Sequence, residues 1–248
     1  MKDEDLRKLY AVLVGGLFAA VALWRHDLVL QAWHATAATW ARGGRPRARL
    51  LGEIVLFGGV LSATWHGLPT EARPARDTAV FLLAAAAGWC AEAWGTRLGL
   101  WTYYTGERPP LWIVPAWPLG AILIDRAAEA ARARFGDAGP AAYWALASLM
   151  LAVCTAMTAP WLGPPSRWLG VAAAGIALFA AADPKEEFWV LACGLACVFF
   201  ADLWGTTNGC WAYPLIAPRA PWRGVPFGMA FDTAVAAGCL RLARRVAP

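Results

Sequence analysis

Charge is what this sequence has least of. Only 16% of its 248 residues are Asp, Glu, Lys or Arg, against about 25% in soluble domains. With 59% hydrophobic residues, the chain is suited to a solvent that is mostly lipid. Histidine is equally scarce, with His26, His34 and His66 making up the set. A membrane di-iron desaturase or hydroxylase needs a much larger histidine cluster, so that class is set aside. The sequence has no Gly-x-Ser-x-Gly, no Gly-Lys-Ser/Thr phosphate loop and no His-Glu-x-x-His. Nucleotide hydrolysis and metalloprotease chemistry therefore lack their machinery. The six cysteines give no disulfide framework. Five of them, Cys90, Cys154, Cys193, Cys197 and Cys239, lie in apolar runs, and Cys210 stands in a polar loop. Cys193 and Cys197 share a helix face without a His to join them, and read as packing rather than as a zinc site. No metal and no other cofactor is expected.

What is abundant is tryptophan, with 16 copies, a residue enriched where helices meet lipid headgroups. A spanning helix needs about 20 mainly apolar residues. Eight segments approach that length, near 10–24, 50–66, 78–94, 112–125, 142–160, 168–182, 188–204 and 225–242. Met1–Trp24 has the outline of a signal peptide, but Asp3, Glu4 and Asp5 dilute its positive start. It is read as a retained first helix. Asp27–Ala41 carries Gln31, His34, Thr36 and Thr39 and is read as an interfacial helix. The net charge of +5 is carried by Arg and suits topology and anionic lipid rather than nucleic acid. With Arg25–Arg49 left aside, the Arg asymmetry places both termini in the cytoplasm, in a membrane of the bacterial inner type.

The chain matches itself at an offset of 110 residues. Trp94, Gly95, Thr96, Gly99, Trp101 and Tyr103 recur as Trp204, Gly205, Thr206, Gly209, Trp211 and Tyr213. Glu92 precedes the first copy and Asp202 the second, and Val114-Pro115 recurs as Val225-Pro226. The expected fold is all-α and polytopic, with about eight transmembrane helices as two tandem four-helix repeats, 1–135 and 136–248. An even number of spans relates the copies by an axis along the membrane normal. Gly and Thr are expected to break each helix, with Trp and Tyr in the loop behind.

Ionisable groups inside a bilayer are costly and are functional candidates by default. Glu53, Glu92, Asp202 and Asp232 qualify. Asp125-Arg126 reads as a surface ion pair, and Glu186 and Glu187 as helix-capping acids. Pro184-Lys185-Glu186-Glu187-Phe188 resembles the Pro-x-Glu-Glu signature of transmembrane lycopene cyclases. The plan of the chain is also similar to that of the integral membrane terpene cyclases of meroterpenoid pathways. Those resemblances imply acids on separate helices that protonate an alkene or epoxide.

Two readings stand. In the first, the protein is an acid-driven cyclase, isomerase or hydratase acting on an isoprenoid lipid. Glu92 or Asp202 donates the proton, and Asp232 or Glu53 is the partner base or hydrogen-bond acceptor. Trp94, Trp101, Tyr103, Trp204, Trp211 and Tyr213 line the site, and Arg108 and Arg223 hold an anionic head group. Such chemistry needs a buried acid and aromatic faces, worth about 2 kcal/mol each toward a desolvated cation. In the second, parallel repeats around a polar site form a carrier of a small solute or lipid. The expected partners are a hydrophobic small molecule or lipid and the membrane itself.

Overall fold

The computed structural model describes residues 3–67 and 72–247. It divides into two compact units, Met1–Ala72 and Arg73–Pro248. The first holds three helices, α1 (Asp3–Trp24), α2 (His26–Arg42) and α3 (Gly44–Gly67). The stretch read as interfacial is α2, with Trp33 and Leu30 exposed along it. On α3, Arg49 Nε donates to Glu53 at 2.7 Å.

The second unit holds α4 (Pro74–Leu98), α5 (Ala116–Phe135), α6 (Pro140–Leu162), α7 (Leu169–Phe179), α8 (Pro184–Thr207) and α9 (Val225–Val246). Proline opens α4, α6 and α8, where its missing N–H has no helical partner to lose. Among the described residues, six stretches, from α1, α4, α5, α6, α8 and α9, are long and apolar enough to cross a membrane. Large apolar side chains such as Leu82, Leu149, Ile176 and Phe200 face outward, as a lipid-facing surface requires. The chain is a membrane protein built of helices.

The core is a four-helix arrangement. Helix α4 packs on α5 and α9, and α8 packs on α9 and α5, while α6 and α7 cover α8 and α9. Between α4 and α5 lies a two-residue strand, β1 (Thr102–Tyr103), and between α8 and α9 another, β2 (Trp211–Ala212). They pair antiparallel, Thr102 with Ala212 and Tyr103 with Trp211. The compact units separate at residue 72, and within the second the two motif-bearing helix pairs pack on each other.

The expected helix break at Gly95-Thr96 is not where the helix ends. Helix α4 continues to Leu98 and stops on Gly99, whose φ of 72° is left-handed, the usual glycine stop. Thr96 Oγ1 donates back to the Glu92 carbonyl at 2.5 Å, and Thr206 does the same to Asp202 at 2.7 Å. These threonines satisfy themselves within the helix. The span expected at 168–182 is also shorter, since α7 covers only Leu169–Phe179. Ala181 adopts φ 53°, and Asp183 then caps α8 by accepting from Lys185 N at 3.1 Å. Helix α7 is held at both of its ends. Gly170 seats the Trp94 ring, and the Leu178 carbonyl accepts from Tyr143 OH at 2.7 Å.

At the N-terminal ends of α4 and α8, ionised side chains knit the bundle. Arg126 Nη2 donates to Asp77 at 2.7 Å. Arg241 donates through Nε to Glu187 Oε1 at 2.8 Å, and through Nη1 to the Ala180 carbonyl at 2.8 Å. Asp125, read from sequence as part of a surface pair, is 1% exposed. It accepts from Arg76 at 2.6 Å and from Arg244 at 3.3 Å. Glu187 is likewise no simple cap, because its carboxylate is buried against Arg241 and Tyr143.

Candidate functional site

The other end of the same bundle carries the repeated motif. Glu92 stands six residues before the end of α4, and Asp202 five before the end of α8. Among the described residues, neither carboxylate accepts from a loop backbone amide. Trp101 Nε1 donates to Glu92 at 2.9 Å, Tyr103 OH at 2.9 Å and Trp117 Nε1 at 3.3 Å. Trp211 Nε1 donates to Asp202 at 3.0 Å and Tyr213 OH at 2.9 Å. Each acid is held by the Trp and Tyr of its own motif copy. Both carboxyls are buried.

The glycines explain how the tryptophans get there. A Cβ on Gly95 would lie inside the Trp101 ring, and one on Gly205 inside the Trp211 ring. The chain turns back after the helix and lays its indole over the bare glycine, which aims the N–H at the acid one turn earlier. Gly228 on α9 plays a third such part. Its Cβ would meet Asp202 Oδ2 and Tyr213 OH, so α9 touches the Asp202 carboxyl with its backbone.

Asp232 sits one helical turn beyond Gly228, on the same face of α9. It is half-buried. Among the described residues, no hydrogen bond or ion pair reaches its carboxylate. The Tyr103 phenol is pushed well up, first by burial, then by Glu92 and, further off, by Asp232 and Asp202. The Tyr213 phenol is pushed up by burial, then by Asp202 and Asp232. Both tyrosines therefore keep their protons and remain donors, and all three acids gather around them.

Aromatic rings fill the space between α4 and α9. Phe231 stacks on Trp94 at 5.3 Å and on Phe227 at 5.5 Å, and Trp101 meets both phenylalanines at 6.0 Å. Across the strand pair, Tyr103 lies 5.9 Å from Trp211. Trp94, Trp101, Tyr103, Trp211 and Tyr213 thus belong to one cluster with the acids. Trp204 is half-buried on α8. Arg108 and Arg223 are exposed on the loops after β1 and β2, the latter 5.5 Å from the Trp222 ring. Glu53 stands in the first unit.

Three participants escaped the sequence reading. Trp117 gives Glu92 its third donor. With the one-residue insertion in the second copy, its counterpart is Gly228, so the two acids differ in surroundings. Phe227 and Phe231 carried a readable signal, being four apart and just ahead of Asp232 on one helix. The Pro-Lys-Glu-Glu-Phe segment opens α8, whereas Asp202 lies near its end, so that segment and the acid cluster form separate polar layers. No protein-family model, no curated protein and no solved structure matches this chain.

Proposed function

We propose that the protein is a membrane-embedded enzyme that performs acid–base chemistry on an isoprenoid or terpenoid lipid, as a cyclase or a related isomerase or hydratase. The observation that carries this reading is one unpartnered carboxyl, Asp232, beside two carboxyls fixed by N–H and O–H donors, all among stacked aromatic rings. The division of labour follows from hydrogen-bond capacity. Trp N–H groups only donate, so the carboxyls of Glu92 and Asp202 serve as acceptors. Asp232, with no such donors, is the group free to present a proton.

In that scheme the Asp232 O–H bond breaks and a C–H bond forms at one alkene carbon. The cation is held over the faces of Trp101, Phe227 and Phe231, and closes onto a second double bond. Glu92 or Asp202 removes a proton from the carbon next to the final cation, and the product is an isomer of the substrate. This assignment moves the donor role from Glu92 or Asp202 to Asp232. The resemblance of Pro184–Phe188 to the lycopene cyclase signature supports the substrate class.

The reading includes eight spans with both termini cytoplasmic, and a tandem duplication. In support, α4, α6 and α8 share a direction, and α7 must carry the chain back between two of them. The carrier reading draws on the same duplication, since parallel repeats around a polar site suit a solute path.

The test is a comparison of lipid extracts, by mass spectrometry, from cells with the protein, without it and with Asp232→Asn. A new isomer that requires both the protein and Asp232 is the expected result. Identical extracts, with the protein inserted normally, would sink the enzyme reading and move the work to transport assays in vesicles.

A further inference from the structure

A shallow recess opens among the charged side chains at the opposite end of the bundle. Arg76, Arg132 and Arg244 line it, with Ala128, Glu129 and Glu186. It lies far from the acid cluster, since Asp77 and Glu92 share α4 and stand about 22 Å apart at 1.5 Å per residue.

Of the three lining arginines, Arg76 is tightly paired with Asp125 at 2.6 Å, whereas Arg132 and Arg244 are held more loosely than the other arginines at this end. Arg126 reaches Asp77 at 2.7 Å, and Arg241 holds Glu187 through two nitrogens. By contrast, Arg132 stands 3.3 Å from Glu186, and Arg244 stands 3.8 Å from Glu186 and 3.3 Å from Asp125. Each guanidinium has five N–H donors, so Arg132 and Arg244 keep most of theirs for another acceptor. Arg76 adds a buried Nε with no hydrogen-bond partner, an arrangement that costs about 1–3 kcal/mol when left unmet. Arg126 Nε is in the same state, but Arg126 does not line the recess.

Three arginines from α4, α5 and α9 therefore converge with donors in excess of their acceptors. Two carboxylates line the recess: Glu129, which accepts from Arg73 at 2.8 Å and stands 3.4 Å from Arg76, and Glu186, which is 50% exposed and stands 3.3 Å from Arg132 and 3.8 Å from Arg244. A group with several charged oxygens satisfies such a fork better than one loose carboxylate can.

We propose that this recess binds a phosphate group, with Arg76, Arg132 and Arg244 as its ligands and Glu186 as the side chain that yields its place. The phosphate belongs either to an anionic lipid headgroup or to a free phosphate. The site stands apart from the acid chemistry and does not rest on it.

The experiment uses the full-length protein, in detergent with inorganic phosphate and in nanodiscs of phosphatidylcholine with or without phosphatidic acid. The readouts are thermal stability and, for nanodiscs, lipids retained on extraction. Arg132→Gln and Arg244→Gln are the informative variants, because both side chains are loosely held, whereas Arg76→Gln breaks a tight buried pair. A rise in melting temperature with inorganic phosphate identifies free phosphate as the source. A rise only with phosphatidic acid identifies the headgroup. In either case each arginine variant should weaken binding about tenfold, the worth of one charge-assisted hydrogen bond. Glu186→Gln should tighten it several-fold, because a competing anion is removed. No response to either probe, or a response untouched by Arg132→Gln and Arg244→Gln together, overturns the proposal.

Discussion

Thr102 lies directly opposite Ala212 in the strand pair, and the two are also counterparts at the 110-residue offset. A two-fold rotation about the centre of an antiparallel pair carries each following residue onto its partner's following residue. Here it carries Tyr103 onto Tyr213, and Trp101 onto Trp211. Local backbone geometry and sequence self-similarity therefore define the same correspondence. The packing of α4 on α9 and of α5 on α8 has the matching form. Lying along the membrane normal, such an axis would keep both copies in one orientation. Reporter fusions at the two termini should then report the same side of the membrane, and fusions reporting opposite sides would break the eight-span scheme.

Gly95→Ala and Gly205→Ala should each destabilise the protein by about 1–3 kcal/mol, the range for forcing extra atoms into a filled core. The added methyl would occupy the space of the Trp101 or Trp211 ring. Thermal melts in detergent read this directly. Gly120→Ala is the control, since nothing lies within 4 Å of its missing Cβ, and it should leave the melt unchanged or raise it slightly through helix propensity. Equal melts for all three variants would show that the indoles do not need their glycine seats.

The raised phenols predict an alkaline loss of stability. Tyr103 and Tyr213 hold their protons more tightly folded than unfolded. Their contribution is complete below the ordinary tyrosine value of about 10, and is lost as pH climbs through the higher folded values. Melting temperature should therefore fall above pH about 10, and less steeply in the Tyr103→Phe, Tyr213→Phe double variant. The phenolate absorbance of the folded wild type should match that of the double variant over the same range. An extra phenolate signal from the folded wild type would contradict the burial of these two rings.

At the other end, Glu187→Gln should cost about 3–5 kcal/mol, because it strands the buried Arg241 without its counter-charge. Glu186→Gln should change stability by well under 1 kcal/mol, since that side chain is exposed and loosely paired. Chemical denaturation in detergent separates the two. Equal costs would mean that the Arg241 pair is hydrated.

The sequence made the repeat legible because Trp and Gly are rare enough to be noticed when they recur in register. Trp, Gly and acid all proved to be parts of one device, in which the indole lies on the glycine and points at the acid. The link itself was not readable. It depends on the chain turning back after Gly99 and Gly209, and single-sequence spacing does not report where a loop residue lands. Gly95 and Gly205 look like helix breakers by composition, yet they lie inside their helices as contact surfaces. The charged end was misread for a related reason. Asp125-Arg126 is two polar residues near a helix end, a pattern that usually faces solvent. Only the convergence of Arg76 and Arg244 from other helices buries it. Asp232 was visible as an intramembrane acid, and its lack of a partner became apparent only in three dimensions.

Helix α7 has a consequence for the surrounding bilayer. Its 11 residues extend about 16 Å, roughly half the hydrocarbon thickness of about 30 Å. Leu169 and Ile176 are exposed along it, an apolar side suited to lipid tails. If a helix this short serves as a span, the bilayer must thin to meet it or admit headgroups toward its ends. The protein would carry a dimple in the membrane along this edge, which favours thin bilayers and other proteins that share the deformation.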